Sequence, residues 1–222
     1  LAAPNMRCPR GHYCPYGTVT SDPQRNDTTL RPYPCTPGTY CLAGVGDKRV
    51  KKGDYAYAQP CFPGFYCESA SVDPKGSGEC PAGFYCPEGT GLPIPTPRGF
   101  YAERKGTVSP ARCLPGKYAP TLQTEACKPC PPGTACENDG MAVATICSPG
   151  FYRSIEFDDD GEEVDGLPCR ACPQGSWSKN WELREVGECS KCPTGVVCSV
   201  DAMTVPCNRG DLPTPYEPVG NL

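Results

Sequence analysis

Histidine is almost missing from this chain: 222 residues hold one, together with two tryptophans and three methionines. The lone His12 sits between Gly11 and Tyr13 in a repeated motif. It has no neighbouring nucleophile in the pattern, so no imidazole-based catalytic pair or His-rich metal set is written here. G-x-S-x-G, P-loop and H-E-x-x-H signatures are absent too. No stretch approaches the roughly 18 consecutive apolar residues of a membrane span, and no apolar i, i+3, i+4, i+7 stripe of useful length marks a helix. There is no excess of positive charge either, the net charge being −4 with a pI near 5.1, which removes the electrostatic case for nucleic acid. No secretory leader is recognisable. An enzyme is therefore not expected, nor a cofactor.

What the chain has instead is cysteine, proline and glycine: 19, 29 and 25 residues. So much cysteine implies an oxidising compartment, extracellular or cell-surface, and a fold stapled by disulfides around very small cores. Together with the missing leader, this composition leads to the expectation of a mature piece of a longer secreted or surface protein.

The cysteines follow a grammar. Cys-x-x-Gly opens at Cys8, Cys35, Cys61, Cys80, Cys113, Cys130, Cys147, Cys172, Cys192 and Cys207. Two further copies lack the cysteine, T-P-R-G-F-Y from Thr96 and V-K-K-G-D-Y from Val50. Two residues after the glycine stands an aromatic: Tyr13, Tyr40, Tyr55, Tyr66, Tyr85, Tyr101, Tyr118, Tyr152 and Trp177, with Ala135, Val197 and Leu212 the apolar exceptions. Proline before glycine, as in Thr36-Pro37-Gly38-Thr39 and Phe62-Pro63-Gly64-Phe65, specifies a type II turn, because proline fixes φ and glycine accepts φ > 0. Each unit is expected to be a turn, a short extended arm, and a core of one bridge and one ring. The expected fold class is small and disulfide-rich: tandem short β-hairpins and turns stacked into an extended rod, with little helix.

Two pairings satisfy the grammar. In the local one each opening cysteine takes the next cysteine: Cys8 with Cys14, Cys35 with Cys41, Cys61 with Cys67, Cys80 with Cys86, Cys113 with Cys127, Cys130 with Cys136, Cys147 with Cys169, Cys172 with Cys189, and Cys192 with Cys198. Cys207 is then left over. In the staggered one each closing cysteine reaches forward, which forces Cys127 onto Cys130, Cys169 onto Cys172 and Cys189 onto Cys192. Such tight C-x-x-C loops are more often redox-active than structural, which favours the local scheme. An interleaved pattern in the second half stays open. A zinc site on the three C-x-x-C pairs is not expected, since the repeat already accounts for every one of these cysteines.

The organisation is linear. Residues 1–97 hold tight C-x5-C modules joined by Pro/Gly-rich linkers, residues 98–206 hold modules with longer loops, and residues 207–222 begin a further module or linker. In this second style, C-L-P-G-K-Y followed by C-K-P-C-P-P-G-T, and C-S-P-G-F-Y followed by C-R-A-C-P-Q-G-S-W, resemble ephrin-receptor-like cysteine-rich repeats and, more loosely, tumour necrosis factor receptor modules. The run from Cys80 to Tyr101 is similar to arrays of such repeats in protist and algal surface proteins, including mastigoneme-type flagellar-hair proteins. The resemblance implies an extracellular structural segment of a glycosylated filament or coat, partnered by itself or by other extracellular proteins. A receptor or adhesin stalk that binds a protein is the alternative it leaves open.

Smaller signals complete the reading. Asn26-Asp27-Thr28 is an N-glycosylation sequon in a polar linker. Glu156, Asp158, Asp160 and Gly161 mimic the start of a calcium loop, but Leu167 stands where the closing glutamate should be. Arg209-Gly210-Asp211 spells an adhesion tripeptide whose glycine already belongs to the repeat, and Lys48 to Lys52 reads as a solvated linker.

Overall fold

A computed structural model describes residues 8–14, 31–43, 58–157, 159, 164 and 168–208. The sequon at Asn26, the cysteine-free copy from Val50, the basic run Lys48 to Lys52, Asp158, Asp160 and the Arg209 tripeptide lie outside the described residues.

The described chain is almost entirely β-hairpins, each a pair of two-residue strands. Five belong to a first compact unit, residues 1–112 with 121–127. They are β1 (His12–Tyr13) with β2 (Tyr33–Pro34), β3 (Thr39–Tyr40) with β4 (Gln59–Pro60), and β5 (Phe65–Tyr66) with β6 (Gly78–Glu79). β7 (Phe84–Tyr85) with β8 (Ile94–Pro95) and β9 (Phe100–Tyr101) with β10 (Ala111–Arg112) complete the set. Five more belong to a second unit, residues 113–120 with 128–222. They are β11 (Lys117–Tyr118) with β12 (Lys128–Pro129), β13 (Thr134–Ala135) with β14 (Thr145–Ile146), and β15 (Phe151–Tyr152) with β16 (Arg170–Ala171). β17 (Ser176–Trp177) with β18 (Ser190–Lys191) and β19 (Val196–Val197) with β20 (Cys207–Asn208) close the series. The only helical piece among the described residues is one 3-10 turn, Val186–Glu188.

The turn that starts each hairpin is the one the Cys-x-x-Gly spacing predicts. Thr39 N–H donates to the Thr36 carbonyl at 3.1 Å and Phe65 N–H to Phe62 at 3.1 Å, with φ of +87° at Gly38 and +84° at Gly64. The Thr96 copy makes the same turn without cysteine, Phe100 N–H donating to the Pro97 carbonyl at 3.1 Å. Sulfur therefore does not create the turn; the positive-φ glycine at its third position is what the copies share, since Arg98 stands where Pro37 and Pro63 do.

The core is largely sulfur. Cys35, Cys41, Cys61, Cys67, Cys80, Cys86, Cys113, Cys136, Cys147 and Cys172 are all fully buried. The rings sit differently from the expected one ring and one bridge per module. Tyr13 packs on the Cys35–Cys41 bridge of the following module, and Tyr152 packs on the cluster of Cys172, Leu183 and Cys189 in the following one. The register explains this. Tyr13 pairs with Tyr33, two residues before Cys35, and stacks on its ring at 5.7 Å between centroids. A hairpin runs from one module's turn to the next module's opening, so its side chains cover the next staple.

Cys207 departs from the grammar. Every other opening that follows a described hairpin comes directly after the returning strand, as Cys35 does after Pro34, whereas Cys207 lies inside β20, paired with Val197. It occupies a strand position of the last hairpin rather than an opening.

Candidate functional site

The chemistry of these modules lies in how each one is fastened, first to itself and then to its neighbour. The structure brings together the cysteines of the local scheme: Cys8 with Cys14, Cys35 with Cys41, Cys61 with Cys67, Cys80 with Cys86, Cys130 with Cys136, Cys147 with Cys169, Cys172 with Cys189 and Cys192 with Cys198. Their Cα separations, 5.6 to 6.2 Å, are those of unforced bridges. Cys113 and Cys127 are disulfide-bonded as well. None of these eight bridges closes a C-x-x-C loop.

Two staple styles answer one geometry. In the tight modules the closing cysteine is the third residue after the glycine. In the wide ones that place is held by Ala119, Arg153 and Ser178, all buried, and the closing cysteine is the third residue before the next opening: Cys127, Cys169 and Cys189. Continuing each hairpin register by one residue sets these two places opposite each other, Arg153 against Cys169 and Ser178 against Cys189. An opening cysteine can thus be bridged to either side of the same hairpin. The cysteine-free module uses neither. Thr96 is fully buried, its hydroxyl accepts the Thr124 N–H at 2.9 Å, and Ala102 fills the closing place.

Arg153 is the one buried charge in such a place. It is 2% exposed, and its Nη1 donates to the carbonyls of Cys130 at 3.1 Å and Pro131 at 3.3 Å, tying its own module to the opening of the preceding one. Nothing in the spacing announces this role, because an arginine after Phe151-Tyr152 reads as a solvated arm.

Between modules, fastening is by backbone at three points. The turn glycine donates to the closing-place carbonyl of the next module: Gly38 to Cys67 at 2.8 Å, Gly64 to Cys86 at 2.8 Å, Gly116 to Cys136 at 2.7 Å, Gly175 to Cys198 at 2.9 Å. The opening carbonyl accepts from a left-handed residue of the next module, Cys61 from Gly89 at 3.0 Å and Cys172 from Ala202 at 3.0 Å. The closing-place N–H donates to the residue after that one, Cys67 to Thr90 at 3.0 Å and Ser178 to Met203 at 2.9 Å. The left-handed position is glycine at 89, 106 and 140 but Ala70, Gln123, Glu182 and Ala202 elsewhere, with φ near +60°.

Those of the other sequence candidates that lie among the described residues are not gathered into a site. Glu156 is held by a bidentate ion pair with Arg170, Nη1 to Oε1 at 2.5 Å and Nη2 to Oε2 at 3.0 Å. Among the described residues no cluster of three His, Cys, Asp or Glu side chains could hold a metal. His12 contacts the Arg10 carbonyl, at 3.2 Å from Nδ1, and among the described residues no acid or nucleophile bonds its ring. A shallow groove of about 370 Å³ is lined by Pro132, Ser154, Ile155, Arg184, Glu185 and Glu188. Its Glu188 carboxylate already accepts the Arg184 N–H at 2.6 Å. No helix among the described residues is long and apolar enough to cross a membrane. No family model matches the chain, and no curated protein matches it.

Proposed function

We propose that this chain is a structural segment of an extracellular filament or coat, in which repeated stapled modules set length and present attached glycans. The three-point backbone ladder carries the reading. It recurs along both units, it uses no side chain that a binding site would need to vary, and it makes modules lean on their neighbours, as in quasi-one-dimensional repeat proteins. The disulfide content fits an oxidising location, and the likeness of the modules to ephrin-receptor-like and mastigoneme-type arrays points the same way.

One observation favours a second reading. Trp181 and Phe157 are 64% and 66% exposed in the unit that carries the groove at Ile155 and Glu185, which suits an adhesin stalk with a protein partner. Electron microscopy of native material labelled with an antibody to this chain separates the two. Labelled fibres with a regular axial repeat support the structural role. Label confined to isolated stalks that end in a distinct head would overturn it in favour of recognition.

A further inference from the structure

One module carries an excess of positive charge that the whole-chain balance hides. Residues 96–112, the module without cysteine, hold Arg98, Arg104, Lys105 and Arg112 against a single acid, Glu103. The two modules before it are acidic: residues 61–79 hold Lys75 against Glu68, Asp73 and Glu79, and residues 80–95 hold Glu88 alone. All four cations are exposed, and among the described residues the side chains of Arg98, Arg104 and Lys105 make no hydrogen bond or ion pair. The excess is therefore not neutralised within the described fold. The module lies inside the described run 58–157 and is held from both sides by it, with the Gly106 N–H on the Cys80 carbonyl at 2.8 Å and the Gln123 N–H on the Thr96 carbonyl at 3.1 Å.

Arg98 stands at the exposed tip of the turn, where other copies have Pro37 and Pro63, with Phe100 two residues on. Arg112 is paired with Phe100 across the hairpin and holds its guanidinium over that ring, 5.8 Å from the centroid. Paired strand residues have Cα atoms about 5 Å apart and two residues of chain span at most about 7 Å, so the backbones of Arg98 and Arg112 lie within about 12 Å of each other. Arg104 and Lys105 lead into Gly106, whose φ of +73° turns the loop, and the Arg104 carbonyl accepts the Thr107 hydroxyl at 2.6 Å. Seven residues of chain reach at most about 25 Å, which bounds the distance from Arg98 to Lys105. The acids beside the bonded neighbours, Glu88 next to Gly89 and Glu125 next to Thr124, form no ion pair with these cations.

We propose that the surface of Arg98, Arg104, Lys105 and Arg112 binds an acidic polysaccharide through its carboxylate or sulfate groups. This rests on the reading of the chain as part of an extracellular coat and names a partner within it. Three of the four cations are arginines, whose planar fork donates two parallel hydrogen bonds to such an anion. A disulfide-rich fold belongs to an oxidising compartment, where the polyanions at hand are glycans rather than nucleic acids. Arg112 is already held over Phe100, so it loses less freedom on binding.

The test titrates the intact oxidised chain by calorimetry with heparin, which carries sulfate and carboxylate, and with polygalacturonate, which carries carboxylate alone. Binding is expected, with Kd rising roughly tenfold or more between about 50 mM and about 200 mM salt as counterions are released. Binding to both polymers assigns carboxylate as sufficient, and binding to heparin alone assigns sulfate. Arg104→Gln with Lys105→Gln should weaken binding roughly tenfold or more, and Arg98→Gln, which places at the turn the residue that Gln174 supplies in another copy, roughly threefold or more. Lys179→Gln with Lys191→Gln removes the same charge from exposed places in the other unit and should leave Kd within about twofold. Unchanged urea midpoints show that the variants fold. Equal weakening by the Lys179 and Lys191 pair, no binding to either polymer at low salt, or tighter binding to single-stranded DNA than to either polysaccharide overturns the proposal. Fibres in native material without polysaccharide binding leave the filament reading standing and this site fallen; binding without fibres does the reverse.

Discussion

The modules opened by Cys80 and by Thr96 are neighbours in one unit and differ at the place where a stapled protein should tolerate difference least. Both make the same turn, Phe84 N–H on the Pro81 carbonyl and Phe100 N–H on Pro97. Both return on a two-residue antiparallel strand, β8 and β10. Both sit in the ladder: Gly106 N–H reaches the Cys80 carbonyl at 2.8 Å, and Gln123 N–H reaches the Thr96 carbonyl at 3.1 Å. Yet the first is bridged from Cys80 to Cys86 and the second has Thr96 and Ala102 there. Backbone geometry is thus common property of the repeat, and the staple is one of several ways to hold it.

The largest test of this comparison is reduction. Closing a seven-residue loop restricts the unfolded chain by about 2 kcal/mol, and several such bridges outweigh what cores made of single rings can supply. Full reduction should unfold the chain, seen as loss of amide dispersion and an increase in hydrodynamic radius. A compact reduced chain would mean that the ladder alone suffices, and that the Thr96 module is the rule rather than the exception.

Next in size is a glycine at a turn covered by its neighbours. Gly64→Ala must adopt φ of +84° and bring its Cβ to 2.6 Å from the Gly106 carbonyl. Left-handed strain and the backbone shift together should cost about 3 kcal/mol in urea unfolding. Gly195→Ala has the strain without the collision, and about 1 kcal/mol is expected. Equal losses at the two sites would remove the idea that neighbour contact, not turn conformation alone, demands glycine.

A smaller and more discriminating pair of variants addresses the staple directly. Thr96→Val leaves the Thr124 N–H without its 2.9 Å acceptor in a buried place, at a cost of about 1–3 kcal/mol. Thr96→Cys with Ala102→Cys loses the same bond but gains a loop of the Cys80–Cys86 length, so the net change should lie within about 1 kcal/mol of zero. Peptide mapping without reductant reports whether the bridge forms, and urea unfolding reports the sign.

Sequence spacing alone disclosed the turn and the arm and favoured the local order of the bridges without fixing it, because proline, glycine and cysteine act through local geometry. It did not disclose which staple each ring covers, since Tyr13 belongs by sequence to the module of Cys8 and by packing to that of Cys35. The role of Arg153 was also hidden, its side chain answering to carbonyls some twenty residues earlier. Cys207 misled because Cys-Asn-Arg-Gly has the letters of an opening, while strand pairing with Val197 places it elsewhere. The ladder was the least legible feature. Its bonds join backbone groups far apart in sequence, and any residue can supply a backbone group.

The smallest predicted effect concerns the one ladder position where residue type does matter. Gly89, Gly106 and Gln123 occupy it in succession, with φ of +78°, +73° and +59°. Glutamine there carries left-handed strain of roughly 1–2 kcal/mol, while replacing it with glycine loosens the unfolded chain by about 0.4–1 kcal/mol. Gln123→Gly should therefore stabilise the folded chain by about 0.5 kcal/mol, against a loss for the same substitution at an extended arm residue such as Lys117. Urea unfolding of the two variants decides it. A loss at both sites would mean that Gln123 contributes a side-chain contact that outweighs its backbone strain, and that the ladder reads side chains after all.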